Sequence, residues 1–166
     1  MSVNEAIVRI SPAELAWLRD DDDDAITAKC EAWLWSATPR SCDFGTAHAF
    51  VHFLLTGVAP RQPSDGPLGF LANERFGETL RYQFSYGPGR VLAPGAVLEL
   101  ERALDALSAA VVDERLRDPA LLAVYPSAIR PTLDDAGASL ARLVDDLRTY
   151  VAATAAAGDA LLVAVY

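Results

Sequence analysis

The sequence predicts an α+β domain, about six helices packed around a small, mostly antiparallel sheet with strands near 6–10, 80–86, 90–93 and 160–166. Apolar residues recur at helical spacing in several separate stretches, the first being Ile26, Cys30, Trp33, Leu34 and Ala37. Between Leu80 and Tyr86 apolar and polar residues alternate, the period of a half-buried strand. Hydrophobic residues make up 52% of the 166, enough to build a core without metal or disulfide. That length fits one domain spanning 1–166.

The elements follow in order. Ala6 to Ile10 is a short apolar strand. Ser11-Pro12-Ala13-Glu14 opens a helix: Ser11 caps it, Pro12 suits its first turn, and Glu14 can reach back to the Ser11 amide. The helix ends in the run Asp20–Asp24, and Asp24 is placed to cap the next one, which Thr38-Pro39 stops. Asp43 is expected to open a third helix through Phe44, Ala47, Phe50, Val51, Leu54 and Leu55, with Gly57 as a left-handed C-cap. Val58 to Pro67, rich in Pro and Gly, reads as a loop. After the Leu80–Tyr86 strand, Gly87-Pro88-Gly89 turns the chain and Arg90 to Ala93 returns. Pro94 starts a long helix carrying Val97, Leu100, Leu104, Leu107 and Val111. Asp118-Pro119 caps a short helix that Pro126 ends. Thr132 or Asp134 begins the last helix, with Leu140, Leu143, Val144, Leu147, Tyr150 and Val151 inward, and Gly158 ends it. Ala160 to Tyr166 is a buried strand, expected to pair with the first strand or with Leu80–Tyr86.

Composition excludes several function classes. Lys and Arg number 14 against 23 Asp and Glu, a net charge of −9. A nucleic-acid binder needs a basic stripe to displace counterions, so no nucleic-acid partner is expected, and anionic membrane surfaces are disfavoured for the same reason. No run of 18 apolar residues predicts a membrane span. The first residues carry no signal-peptide pattern, and Cys30 and Cys42 form no C-x-x-C pair, so a reducing cytoplasm is the expected location. Cys30 falls on an apolar stripe and reads as core.

Candidate chemistry centres on the two histidines. His48 and His52 are spaced i, i+4, so on a helix both rings share a face and are able to share a metal, with Asp43 or Cys42 as a third ligand. Ala49 stands where a zincin helix needs Glu. His52 alone is a candidate acid or base, with Asp43 or Thr56 to orient it and Tyr82 or Tyr125 to complete a pocket. The simpler expectation is that His52 packs at the core edge with a ring nitrogen on a backbone carbonyl. Asp20, Asp22, Asp24 and Glu31 have EF-hand spacing, but Ala25 stands where the loop needs Gly. There is no P-loop, and Gly137-Ala138-Ser139-Leu140-Ala141 lies inside a helical pattern with no later His. Trp35 falls off its helix stripe and is a candidate protein-contact anchor.

Three segments carry a family resemblance: Phe50-Val51-His52-Phe53-Leu54-Leu55-Thr56-Gly57, Arg90-Val91-Leu92-Ala93-Pro94 with the helix after it, and Val124-Tyr125-Pro126. The last helix into Gly158-Asp159-Ala160-Leu161-Leu162 fits as well. In order and spacing the chain resembles the YfbM-like family of uncharacterised bacterial domains (domain of unknown function 1877). The resemblance implies a compact α+β domain in a bacterial, cytoplasmic setting, and no activity. The family usually carries a Trp about one turn before the motif His, where this chain has His48-Ala49.

The expected function is a small acidic binding or protein-interaction module, regulatory or immunity-type, whose protein partner has a basic surface. The alternative is an enzyme or a small-molecule or metal-binding protein using His52 with His48 and Asp43. No catalytic set, resident metal or cofactor is assigned.

Overall fold

The first and last strands lie side by side in the middle of the sheet. In this computed structural model, β1 (Glu5–Ile10) pairs antiparallel with β5 (Ala160–Val165), Glu5 opposite Val165 and Ile10 opposite Ala160. The structure describes residues 5–20, 23–35, 40–59, 62, 64–72, 75–84, 87–124 and 133–165, with the side chains of 23–27, 35, 82, 83, 122 and 133–136 outside the description. Among the described residues five strands run in the order β2-β1-β5-β4-β3, every pair antiparallel, with β2 at Ser41–Gly45, β3 at Glu78–Phe84 and β4 at Gly87–Leu92.

Helices cover both faces, which explains why the central strands read as nearly unbroken apolar runs. Successive side chains of a strand point to opposite faces. Ala6, Val8 and Ile10, with Ala160, Leu162 and Ala164, meet Leu15 and Leu18 of α1 (Pro12–Asp20) and Cys30, Trp33 and Leu34 of α2 (Asp23–Trp35). Trp17 and Trp33 meet edge to face at 6.3 Å, and the Lys29 ammonium lies 4.3 Å from the Trp17 ring centre. Ile7, Leu92, Leu161 and Val163 face the opposite layer, formed by α3 (His48–Thr56), α4 (Pro94–Ala106), α5 (Ala109–Leu116) and α6 (Leu133–Ala156). Short 3-10 helices lie at Pro67–Gly69 and Pro119–Ala123.

Local signals are reproduced where hydrogen bonds carry them. The Ser11 amide donates to Glu14 Oε2 at 2.8 Å, and the Glu14 amide donates to Ser11 Oγ at 3.3 Å, closing the capping box. Asp118 Oδ1 accepts from the Ala120 amide at 2.8 Å. Gly57 has φ +74° and returns its N–H to the Phe53 carbonyl at 2.7 Å.

Three expectations change. Asp43 does not open a helix: it lies in β2, opposite Ala6, and α3 begins at His48. Phe44 is buried and Cys42 half-buried with a polar residue between them, a strand period that supplies β1 with hydrogen bonds along its second edge. The long helix from Pro94 divides: α4 stops at Ala106, and Ser108 starts α5 by accepting from the Val111 amide at 3.3 Å. The second hairpin strand begins at Gly87, so the Gly-Pro-Gly stretch is strand rather than turn. In addition α2 starts at Asp23, which puts Asp24 inside the helix. Pro126, Thr132 and Thr38-Pro39 lie outside the described residues. No helix among the described residues is long and apolar enough to cross a membrane.

Candidate functional site

The turn from β2 into α3 sets the site. Asp43 Oδ1 accepts the Gly45 amide at 2.7 Å, Gly45 adopts φ +50°, and the Ala47 amide closes on the Phe44 carbonyl at 2.9 Å. His48 is the first residue of α3. Its Nδ1 lies 3.2 Å from the Gly45 carbonyl oxygen. A carbonyl only accepts, so Nδ1 is the donor in this contact and Nε2 takes no part in it.

The α3 helix is short and apolar nearly all round, with Ala49, Val51, Phe53, Leu54 and Leu55 buried beside His52. It packs against β2, α5, α6 and the Pro67–Gly69 turn. His52 is 1% exposed, and neither ring nitrogen has a hydrogen-bond partner among the described residues. A buried polar atom left this way costs about 1–3 kcal/mol. Burial, and then the charge of His48, push the His52 pKa down to about 4, so the ring is neutral at pH 7. Among the described residues the expected bond from His52 to a backbone carbonyl is absent; it is His48 that makes such a bond.

Thr56 completes the face formed by positions 48, 52 and 56, but its hydroxyl donates to the His52 carbonyl at 2.8 Å and accepts from the Val58 amide at 3.1 Å. It ends the helix and does not orient the ring. Asp43 is exposed on β2, at the opposite edge of the sheet from Tyr82 on β3. Four strand spacings separate those edges, about 19 Å. The Tyr82 side chain, the Trp35 side chain at the end of α2, and Tyr125 lie outside the description. Burial pushes the Cys30 and Cys42 thiols up to about 12, Asp146 and Asp43 adding to it at Cys42, so neither is a thiolate at neutral pH.

Sequence reasoning missed a second polar group. Glu5 and Arg90 are both buried on the α3–α6 face of the sheet, with Arg90 Nη2 3.9 Å from Glu5 Oε1. Oε1 has no hydrogen-bond partner among the described residues, and Arg90 Nη1 reaches toward the Phe76 carbonyl at 3.5 Å. Burial outweighs the attraction of Arg90 and raises the Glu5 pKa to about 8, so the carboxyl is largely protonated at pH 7. The only sign in the sequence is a charged residue flanking an apolar run at each position, which exposed strand ends share.

The family is decided by a match along nearly the whole chain: the model described as "Domain of unknown function (DUF1877)" covers residues 1–164. The chain belongs to the DUF1877 family. None of the curated proteins compared with it matches. Among solved structures it is similar to a protein of unknown function, YfbM from Escherichia coli, with a TM-score of 0.70 and 15% identity, over 98% of this chain and 99% of that one. At that identity the likeness shows the fold. The matched span contains both histidines as well as Glu5 and Arg90.

Proposed function

We propose that this chain is a binding module that engages a protein partner with a basic patch through the outer surface of α4, α5 and α6. The observation that carries the reading is the division of charge in this layer. Two of its arginines turn inward to backbone carbonyls: Arg115 donates to Leu54 at 2.7 Å, and Arg148 donates to Leu107 at 2.5 Å. The carboxylates Glu99, Asp105, Asp113, Glu114, Asp118 and Asp146 remain exposed. Arg102, Arg117 and Arg142 are exposed among them, too few to balance the layer. With a chain charge of −9, such a surface steers a cationic partner into encounter and sets its orientation. Trp35, at the end of α2 on the other layer, remains a separate proposed contact residue.

A synthetic arginine-rich peptide is the probe, with binding followed by fluorescence anisotropy at low and high salt. Binding is expected to weaken with salt and to fall about tenfold in the double variant Asp113→Lys, Glu114→Lys, a change of about 1.4 kcal/mol. Asp20→Lys, an exposed acid on the other layer, is the control and is expected to change little. Equal weakening by both variants would mean that bulk charge alone attracts the peptide, and the reading would be abandoned.

A further inference from the structure

We propose that His48 and His52 form an open site for a borderline divalent transition-metal ion of the zinc or nickel class. The inference is independent of the acidic surface. It begins with the buried His52 ring, whose two nitrogens meet no hydrogen-bond partner among the described residues. Imidazole binds metals through a ring-nitrogen lone pair, and a ring nitrogen engaged in no hydrogen bond has that position to give.

His48 supplies the second donor. It stands one helical turn earlier on the same face of α3. Its Nδ1 is turned to the Gly45 carbonyl, which leaves Nε2 as the donor. A backbone carbonyl holding the non-ligating nitrogen is the usual way a metal-binding histidine is oriented. Half-buried His48 is the outer member, so an ion enters from its side.

The donor set defines the ion. Two imidazole nitrogens suit zinc, nickel or copper, whereas calcium and magnesium require oxygen ligands. Among the described residues no group of three or more His, Cys, Asp or Glu is placed to hold a metal. The charges acting on the Cys42 thiol are those of Asp146 and Asp43. The other coordination positions therefore belong to water or to a donor atom of a bound molecule, the open type of site rather than the closed structural type.

The test uses the full chain stripped with a chelator and titrated with Zn²⁺, read by calorimetry and by the ring-proton NMR signals of its only two histidines. One ion per chain is expected, with both histidine signals moving together and the thermal midpoint rising with Zn²⁺ concentration. His48→Ala is expected to weaken binding about tenfold or more, and His48→Cys to restore much of it because a thiolate also ligates zinc. His52→Asn should abolish the saturable phase; if that buried variant does not fold, the His48 pair decides. Identical Zn²⁺ affinity in wild type and His48→Ala, or no saturable binding by wild type, would overturn the proposal.

Discussion

Arg115 donates from α5 to the carbonyl of Leu54 in the last turn of α3, 2.7 Å away. That carbonyl is one of the groups a helix end leaves without an intrahelical partner, and a guanidinium there also opposes the negative end of the helix dipole. Gly57 makes room for it: a Cβ at that position would stand 3.2 Å from Arg115 Nε. The end of α3 is thus held by a residue sixty-one positions along the chain.

Arg115→Met should destabilise the protein by about 1–3 kcal/mol, the usual effect of losing a charge-assisted bond to a buried acceptor. Gly57→Ala should cost about 1–2 kcal/mol from its positive φ and should also displace Arg115. The two effects are therefore expected to be less than additive in a double-mutant cycle measured by urea unfolding.

Tyr150 joins α6 to the sheet through its hydroxyl, which accepts the Arg9 amide at 2.7 Å and donates to the Arg40 carbonyl. Tyr150→Phe keeps the ring and removes both bonds. The Arg9 amide retains the Arg40 carbonyl at 2.8 Å, so the expected loss is moderate, about 1 kcal/mol, read as a lower urea midpoint with an unchanged slope.

Glu5 should make stability fall with rising pH. Below its ordinary value of 4.5 the carboxyl is protonated in both states; between 4.5 and about 8 the unfolded chain releases the proton and the folded chain keeps it. Glu5→Gln mimics the protonated form. Its stability should therefore exceed that of wild type above pH 8, and the difference should vanish near pH 4, as checked by urea titrations across that range.

His52 should act in the opposite sense. Its folded pKa of about 4 lies below the ordinary 6.5, so between those values the unfolded chain takes up a proton that the folded chain refuses, and stability falls as the solution is acidified through the window. In chelator-treated protein, His52→Leu should remove this acid sensitivity. Relative to its effect at pH 7, it should gain on the order of 1–2 kcal/mol at pH 5.

The features legible in the sequence are those decided within a few residues. The Ser11–Glu14 box, the Asp118 cap and the Gly57 C-cap need only their own neighbours, and each is found. The spacing of Val97, Leu100 and Leu104 likewise identifies the buried face of α4. What escaped depends on distant partners. Phe44 satisfies a helical period with Ala47 and Val51 and a strand period with Cys42; the open edge of β1 decides for strand. Leu107 still packs on the layer that α4 covers, but after Ser108 the buried residue of α5 is Val112 rather than the Val111 that the α4 period predicts. The histidine spacing placed His48 and His52 on one helix face, while the missing partners of the His52 ring follow from the elements packed around α3. Glu5 and Arg90 meet only because β1 and β4 flank the same strand.

The central position of β5 has a consequence for synthesis. On the ribosome, the β1–β2 pair, with α1 and α2 between its strands, and the β3–β4 hairpin emerge first, and each exposes an unsatisfied backbone edge until residues 160–165 leave the exit tunnel. The strand that joins them arrives after both, and its pairing with β1 closes a loop of nearly the whole described chain. Completion of the sheet therefore waits on the longest-range pairing of the fold and is expected to be slow, with open strand edges present until it forms.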